Sequence, residues 1–480
     1  MFKLDTIISL AKRRGFVFQS SEIYGGINGC WDYGPLGVEL LQNIKSAWWK
    51  SMTYRDDVEG IDASILMHPK VWEASGHLSA FSDPMIDNKV SKARHRADNL
   101  IEDFISKMRN KKASNNSKSH LEIADACEKR FNEVQSNEDY FNIITDFAIP
   151  DPVSGTTDWT EVRNFNLMFK TFIGPLDDAA STIYLRPESA QGIFVNFKNV
   201  AETARQKVPF GIAQIGKAFR NEINTKNFLF RTREFEQMEM QYFIKPNTEK
   251  EWFDYWQQER WNWYIKYGMK PEKMQFKTHT KLAHYANYAV DIEFEFPFGF
   301  GEIEGIHSRT DFDLMAHQNL SGKKLEYIDP VNKERFVPYV VETSGGVSRG
   351  LMAFLCNAYD EEEPAAGSED KEKRVVMRFH PKLAPVQVAV FPLVNKDGMP
   401  EKAHALYKDL QRNFKTQYDV SGAIGRRYRR QDEIGTPFCI TIDGDTINNA
   451  TITIRERDSM QQETINIEKA QEYLFCKFAE

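Results

Sequence analysis

FRNEINTKNFLFRTREFEQMEM, residues Phe219 to Met240, reads as a strand, a turn over NTKNF and a returning strand. Alternate side chains of a strand share a face. Arg220 and Glu222 therefore point one way. On the return strand Arg231, Arg233, Phe235, Gln237 and Glu239 share a face. One surface then carries several guanidinium forks, a flat ring and carboxylates. Arg forks bind phosphate oxygens bidentately, Phe offers a stacking plane, and a carboxylate accepts from an exocyclic amine. That set suits a nucleoside triphosphate lying on a sheet. A cross-strand ladder of salt bridges on an exposed face fits the same residues.

Further along, PYVVETSGGVSRG (Pro338–Gly350) reads as a strand, then small residues, then Arg349. Gly345 and Gly346 would let a ligand approach the backbone; a simple strand-to-helix turn with a surface Arg fits as well. No G-x-x-x-x-G-K-[ST] stretch is present, which excludes a P-loop. DIEFEFPFGFGEIEGI (Asp291–Ile306) alternates acidic and apolar residues, as a strand with one buried face does. Strands joined by short turns predict an antiparallel sheet for the middle of the chain.

MFKLDTIISLAKRRGF has apolar residues at helical spacing and no signal-peptide core. Leu36–Trp49 and Asp98–Arg109 read as helices, and Ile61–Leu66 as a strand. Lys111–His120 and the acidic Asp360–Lys373 read as solvated loops. In WFDYWQQERWNWY the near-helical spacing of Trp252, Trp256 and Trp263 predicts core packing. After Pro381 the pattern changes. VQVAVFPL, PFCITID and ATITIRERD read as strands, and Lys402–Tyr418 and Ile467–Phe478 as helices, which predicts a small α/β domain with parallel pairing.

The 480 residues carry a formal charge of −7, so no global basic field advertises nucleic acid. A length prior of about three domains follows. Five scattered cysteines with no C-x-x-C pair argue against disulfides and a Cys-rich zinc site, and for a reducing cytoplasm. The longest apolar run, VQVAVFPLV, is too short to span a bilayer.

Together, F-R-x-E (Phe219, Arg220, Glu222) with R-x-x-x-F (Arg231, Phe235), and G-x-x-R (Gly346 to Arg349), resemble motifs 2 and 3 of a class II aminoacyl-tRNA synthetase. The helix from Gly37 to Trp49, with the strand leading to Pro69, resembles motif 1, the dimer-forming element. YGPLGVEL, VWEASGH, RADNLIE, RPESAQGIF, GEIEGIHSRTDFDL and IGRRYRRQDEIGTP, in that order, resemble the homodimeric type of glycyl-tRNA synthetase. The resemblance implies an α+β catalytic core on an antiparallel sheet, residues 1–382, with an inserted region at about 85–160. It implies a C-terminal α/β anticodon-binding domain, residues 383–480. The implied substrates are glycine, ATP with Mg²⁺ and tRNA(Gly).

By the same resemblance Arg220 would hold the ATP α-phosphate and Glu222 would accept from the adenine amine. Phe235 and Arg349 would sandwich the adenine, and Arg231 would take the outer phosphates. Arg220 and Arg349 are the implied catalytic pair. Asn221, Phe230, Ile303 and Gly346 fall in the implied ATP site. Glu302 resembles a carboxylate that helps hold Mg²⁺; an exposed strand Glu is the alternative. Glu188, Glu239 and Glu342 would read the glycine ammonium, with Ser344 beside them. Phe235, Glu236, Gln237, Gly346 and Arg96 complete the implied glycine set; Arg96 is equally a helix-start Arg paired with Asp98. The chain departs from the family at Thr343, where relatives usually have Pro. It departs again in DNKVSKARH, where many relatives carry cysteines, so no zinc is expected in the insertion. Arg426, Arg427, Arg429 and Arg430 offer tRNA contacts, or form a solvated face paired with Asp432 and Glu433.

Overall fold

The computed structural model describes residues 2–110, 117–174, 181–279, 282, 286–363 and 373–479, in two compact units. The larger unit comprises Met1–Val71 and Leu185–Glu480. Its centre is a seven-stranded sheet of β1 (Val58–Gly60), β2 (Phe210–Phe219), β3 (Glu234–Ile244), β4 (Met274–Thr278), β5 (Tyr288–Phe296), β6 (Gly299–Thr310) and β7 (Tyr339–Gly346). The order across the sheet is β4-β5-β6-β7-β3-β2-β1. All pairs are antiparallel except β1 with β2. The antiparallel core expected from the sequence is therefore present.

Its helices are α1 (Leu4–Arg14), α2 (Pro35–Thr53), α3 (Ala190–Thr203), α4 (Glu249–Lys266), α5 (Phe312–Ser321) and α6 (Val347–Ala358). In α2, Pro35 takes the first helical position, where its missing N–H costs nothing. Leu40, Leu41, Ile44 and Trp48 then recur every three or four residues and bury one face against the sheet. Trp256 and Trp263 of α4 are buried in the same core, as their spacing predicts.

β5 and β6 are buried on both faces. Val290, Ile292, Phe294 and Phe296 enter the apolar core, while Asp291 and Glu293 on the other face are also shielded. Acidic-apolar alternation here marks a strand covered on both sides, with its carboxylates paired to neighbouring strands: Asp291 meets His279, and Glu293 meets Gln275 and Lys277. A β-bulge then changes the alternation. Glu293 pairs with Glu302, Ile292 with Glu304, and Ile303 is the extra residue. The bulge brings Glu302 to the face of Gly305 and His307. Glu304 goes beneath the sheet, fully buried, where Arg260 Nε donates to it at 2.7 Å.

Several boundaries differ from the sequence reading. Ile61–Leu66 is not a strand; Val58–Gly60 pairs there instead. The predicted helix Lys402–Tyr418 divides into α7 (Met399–Leu410) and a strand, β9 (Thr416–Tyr418). The C-terminal sheet runs β9-β8-β10-β11-β12, with β8 (Val388–Pro392), β10 (Phe438–Ile442), β11 (Thr451–Glu456) and β12 (Gln462–Asn466). β8 is parallel to β9 and β10, but β11 and β12 are antiparallel, so parallel pairing holds for half the sheet. Helices α8 (Ile424–Ile434) and α9 (Ala470–Ala479) complete this region. Of the two predicted loops, Ser117–His120 begins a helix, and Asp360–Glu362 pairs with Arg374–Val376. Residues 111–116 and 364–372 lie outside the described residues.

The smaller unit, Trp72–Tyr184, has its own core. Helices Ala97–Asn110, Ser117–Asn132 and Asn137–Asp146 pack Ile101, Phe104 and Ile144 together beside a three-stranded sheet. Ser136 and Asp139 form a capping box at the third helix. Arg96 belongs to this unit and pairs with Asp83 at 2.9 Å and with Asp98.

Candidate active site

A cavity of about 240 Å³ opens on the face of the central sheet that carries Phe235, Gln237, Glu239 and Ser344. β3 is regular from Glu234 onward, so the odd-numbered residues from Phe235 to Glu239 face the cavity together, as alternation predicts. Glu236 does not; it lies on the opposite face, where Lys45 Nζ donates to it at 2.9 Å. Its assignment to the glycine set conflicts with strand geometry. Asn221 and Ile303 also lie outside the lining, and Ile303 is buried in the apolar core.

The residues ahead of β3 depart from strand geometry. Asn227 and Phe228 have positive φ, and Phe228–Phe230 forms a turn of 3₁₀ helix. Arg231 is thereby turned onto Glu222, with Nε 2.8 Å from the carboxylate. The sequence reading gave these two separate ligands; the structure pairs them. Arg233 leaves the cavity and donates to the Glu222 and Asn28 carbonyls. Arg220 remains at the wall, its Nε donating to the Pro187 carbonyl at 3.0 Å and its guanidinium 5.4 Å from the Phe235 ring centre.

Arg349, in the first turn of α6, stacks 4.5 Å over Phe230 and donates from Nε to the Phe230 carbonyl at 3.0 Å. It also meets Glu302 at 2.9 Å. Burial works to raise the Glu302 carboxyl, but Arg349 outweighs it and holds it below the usual range. Gly301 makes this packing possible, since a Cβ there would fall 2.7 Å from the Phe230 ring. Phe230 is thus the ring that Arg349 stacks on directly, while Phe235, its expected partner across the adenine, lies beside Arg220.

Three carboxylates form the inner end, and their states differ. Glu342 accepts from Gln241 at 2.8 Å, His307 Nδ1 at 2.9 Å and Arg309 at 3.2 Å. Burial would raise it, but Arg309 and His307 hold it down to about 2. Glu188 accepts from Gln191 at 2.8 Å. Glu239 receives Ser344 Oγ at 3.0 Å, the Ser189 hydroxyl lies close by, and its Oε2 is buried with no hydrogen-bond partner among the described residues. Burial, then the charges of Glu342 and Glu188, push it up to about 8. An unsatisfied buried carboxyl of this kind is a ready acceptor for a small cation.

Within GEIEGIHSRTDFDL, Arg309 and Asp313 play a part that the motifs do not predict. Arg309 bridges Asp313 (2.8 and 3.0 Å) to Glu342, and Asp313 accepts from Gln191 at 3.1 Å. That buried network positions Glu188 and Glu342. The i,i+4 spacing of Arg309 and Asp313, at the entry to α5, is the signal that could have found the pair. Thr343 sits in unbroken register between Met240 and Ile306, and is fully buried. The strand runs regularly through this position.

Residues 169–358 match the tRNA synthetase class II core domain (G, H, P, S and T), residues 83–167 the glycyl-tRNA synthetase insertion domain 1, and residues 387–477 an anticodon binding domain. The chain is 56% identical to a glycine–tRNA ligase of Chlorobaculum tepidum, over 99% of this chain and 100% of that one. It is 54% identical to one of Treponema denticola (96% and 93%) and 51% to one of Caldanaerobacter subterraneus (98% and 97%). With a cavity built of paired Arg and Glu side chains, and this similarity along nearly its whole length, the chain belongs to the class II glycine–tRNA ligase family.

Proposed function

We propose that the chain activates glycine with ATP to glycyl-adenylate and pyrophosphate, then transfers glycine to the 3′-terminal adenosine of tRNA(Gly). The observation that carries this reading is the unpartnered buried oxygen of Glu239 at the inner end of a cavity also lined by Arg220, Arg231 and Arg349. Glycine offers only an ammonium and a carboxylate. Glu239, with Glu188 beside it, accepts the ammonium. Ser344 holds Glu239 in place. Arg220 faces the α-phosphate as the glycine carboxylate attacks, and stabilises the charge that develops there. Arg349 and Phe230 form one wall for the adenine, with Phe235 opposite.

Hard cations take oxygen ligands, and Glu302 at the cavity wall supplies such a donor. Mg²⁺ bound with ATP would neutralise phosphate charge at that edge.

Residues 1–382 form the catalytic part, with the insertion at about 85–160, and residues 383–480 read the anticodon. Homodimerisation accords with exposed apolar side chains near the N-terminal helices, among them Ile23 and Tyr24, 88% and 87% exposed. The five described cysteines are all free, as in a reducing cytoplasm, and no described helix is long and apolar enough to cross a membrane. Glycine-dependent ATP–pyrophosphate exchange and charging of tRNA(Gly) by the purified chain test the reading. tRNA binding without exchange would instead indicate a non-catalytic nucleic-acid-binding subunit on the same scaffold.

A further inference from the structure

We infer that His279, Asp291 and His307 form a binding site for one divalent cation of the Zn²⁺ class, separate from the carboxylates that face ATP. The three come from adjacent strands. His307 of β6 lies across from Ala289 of β5, and His279, just past β4, donates its backbone N–H to the Ala289 carbonyl at 3.1 Å. Both histidines flank that alanine, and Asp291 is two residues along on the same face of β5. The methyl of Ala289 leaves room for two rings, whose centres are 5.9 Å apart. Gly305, across from Asp291, leaves room for the third group. A Cβ there would fall 2.6 Å from His307 Cε1, 3.2 Å from its Nε2 and 3.5 Å from Asp291 Oδ1. Ring and carboxylate therefore converge over bare backbone.

The ligand atoms already lie within 4.8 Å of one another. His279 Nε2 is 2.8 Å from Asp291 Oδ2. His307 gives Nδ1 to Glu342 at 2.9 Å, and Arg309 keeps Glu342 a carboxylate. That bond fixes the ring and leaves Nε2 as the free ligand atom, the carboxylate–histidine–metal arrangement that orients metal-binding imidazoles. A Zn–N bond of about 2.0–2.1 Å needs ligands roughly 3.4 Å apart in a tetrahedron, so the side chains need close by only about an ångström. Two imidazoles and one carboxylate select Zn²⁺ or Co²⁺ over Mg²⁺, which prefers oxygen. Of the three, His307 also lines the cavity. The expectation of no zinc rested on missing cysteines in the insertion; these three residues, scattered over three strands, form no linear motif.

Titrating the chelator-treated full chain with Co²⁺ tests the site. One equivalent should bind with the visible absorption of a four- or five-coordinate centre, and millimolar Mg²⁺ should not displace it. His279→Ala and Asp291→Asn should each weaken binding at least tenfold while the melting temperature without metal holds. X-ray absorption of the Zn²⁺-loaded unsubstituted chain should show two imidazoles and no sulfur, and does not depend on any variant folding. No saturable binding, equal affinity in the variants, or sulfur ligation, as at an exposed cysteine, would each overturn the assignment.

Discussion

The cavity face of the central sheet and helix α8 are both dense in arginine and carboxylate, yet they use them differently. On the cavity face, Glu239 keeps an oxygen without a partner, and Arg220 and Arg349 project at the wall of an open cavity. In α8 most of the charge is consumed internally. Arg427 is 3% exposed and donates to the carbonyls of Pro392, Val420 and Gly422. Arg430 pairs with Asp419 at 2.6 Å. Asp432 accepts from Arg374 and Arg455, and Glu433 from Arg14 at 2.5 Å, not from the cluster itself. Arg426 is exposed. Charge density in a sequence thus says little about function; what decides is whether the fold already supplies the partner.

Substitutions can break that contrast. The largest effect is expected from Arg220→Ala, which should slow glycine-dependent ATP–pyrophosphate exchange on the order of 10²–10³-fold, with an unchanged melting temperature. Near-normal exchange would remove Arg220 from the transition state. Glu239→Gln comes next. It preserves shape and replaces a carboxyl that is largely neutral in the empty cavity, so the fold should hold. The glycine KM should rise roughly 10²-fold, since a buried charge partner is worth about 2–5 kcal/mol, while the ATP KM stays put. An unmoved glycine KM would mean that the ammonium is held elsewhere.

Arg427→Ala should do the reverse. Three carbonyls lose their donor, and calorimetry of the C-terminal transition should show about 2–4 kcal/mol of destabilisation, with pyrophosphate exchange barely changed. A smaller effect is expected from pH. Glu239 binds its proton until about pH 8, and the ammonium of glycine pairs with the charged form. Glycine binding must therefore release a proton and strengthen as pH rises. KM should fall by up to about tenfold per unit between pH 6 and 8 and level off above, and this slope should vanish in Glu239→Gln. Arg426→Ala should move least: roughly a few-fold in the KM for tRNA, sensitive to salt, with stability intact.

Much of this site was legible because short-range geometry governs it. Phe235, Gln237 and Glu239 fall on one face since β3 is regular, and Gly346 leads to Arg349 over one helical turn. Where the backbone leaves the regular strand, alternation fails. The positive φ at Asn227 and Phe228 turns Arg231 onto Glu222 and sends Arg233 away, and the same alternation that turns Glu239 to the cavity turns Glu236 to Lys45.

The antiparallel core, the family and residues such as Arg220, Phe235 and Arg349 could be read from local pattern alone, since periodicity and short motifs are properties of neighbouring residues. Which carboxylate keeps an oxygen without a partner follows from the assembled fold. Glu188, Glu239 and Glu342 read alike in sequence, but Arg309, anchored by Asp313, neutralises Glu342, while Oε2 of Glu239 has no partner among the described residues. The assembled fold also decided that a bulge at Ile303 parts Glu302 from Glu304, one to the cavity and one to Arg260. A side chain's charge state and direction depend on groups brought close from distant positions, and at those distances pairing and desolvation outweigh any local preference.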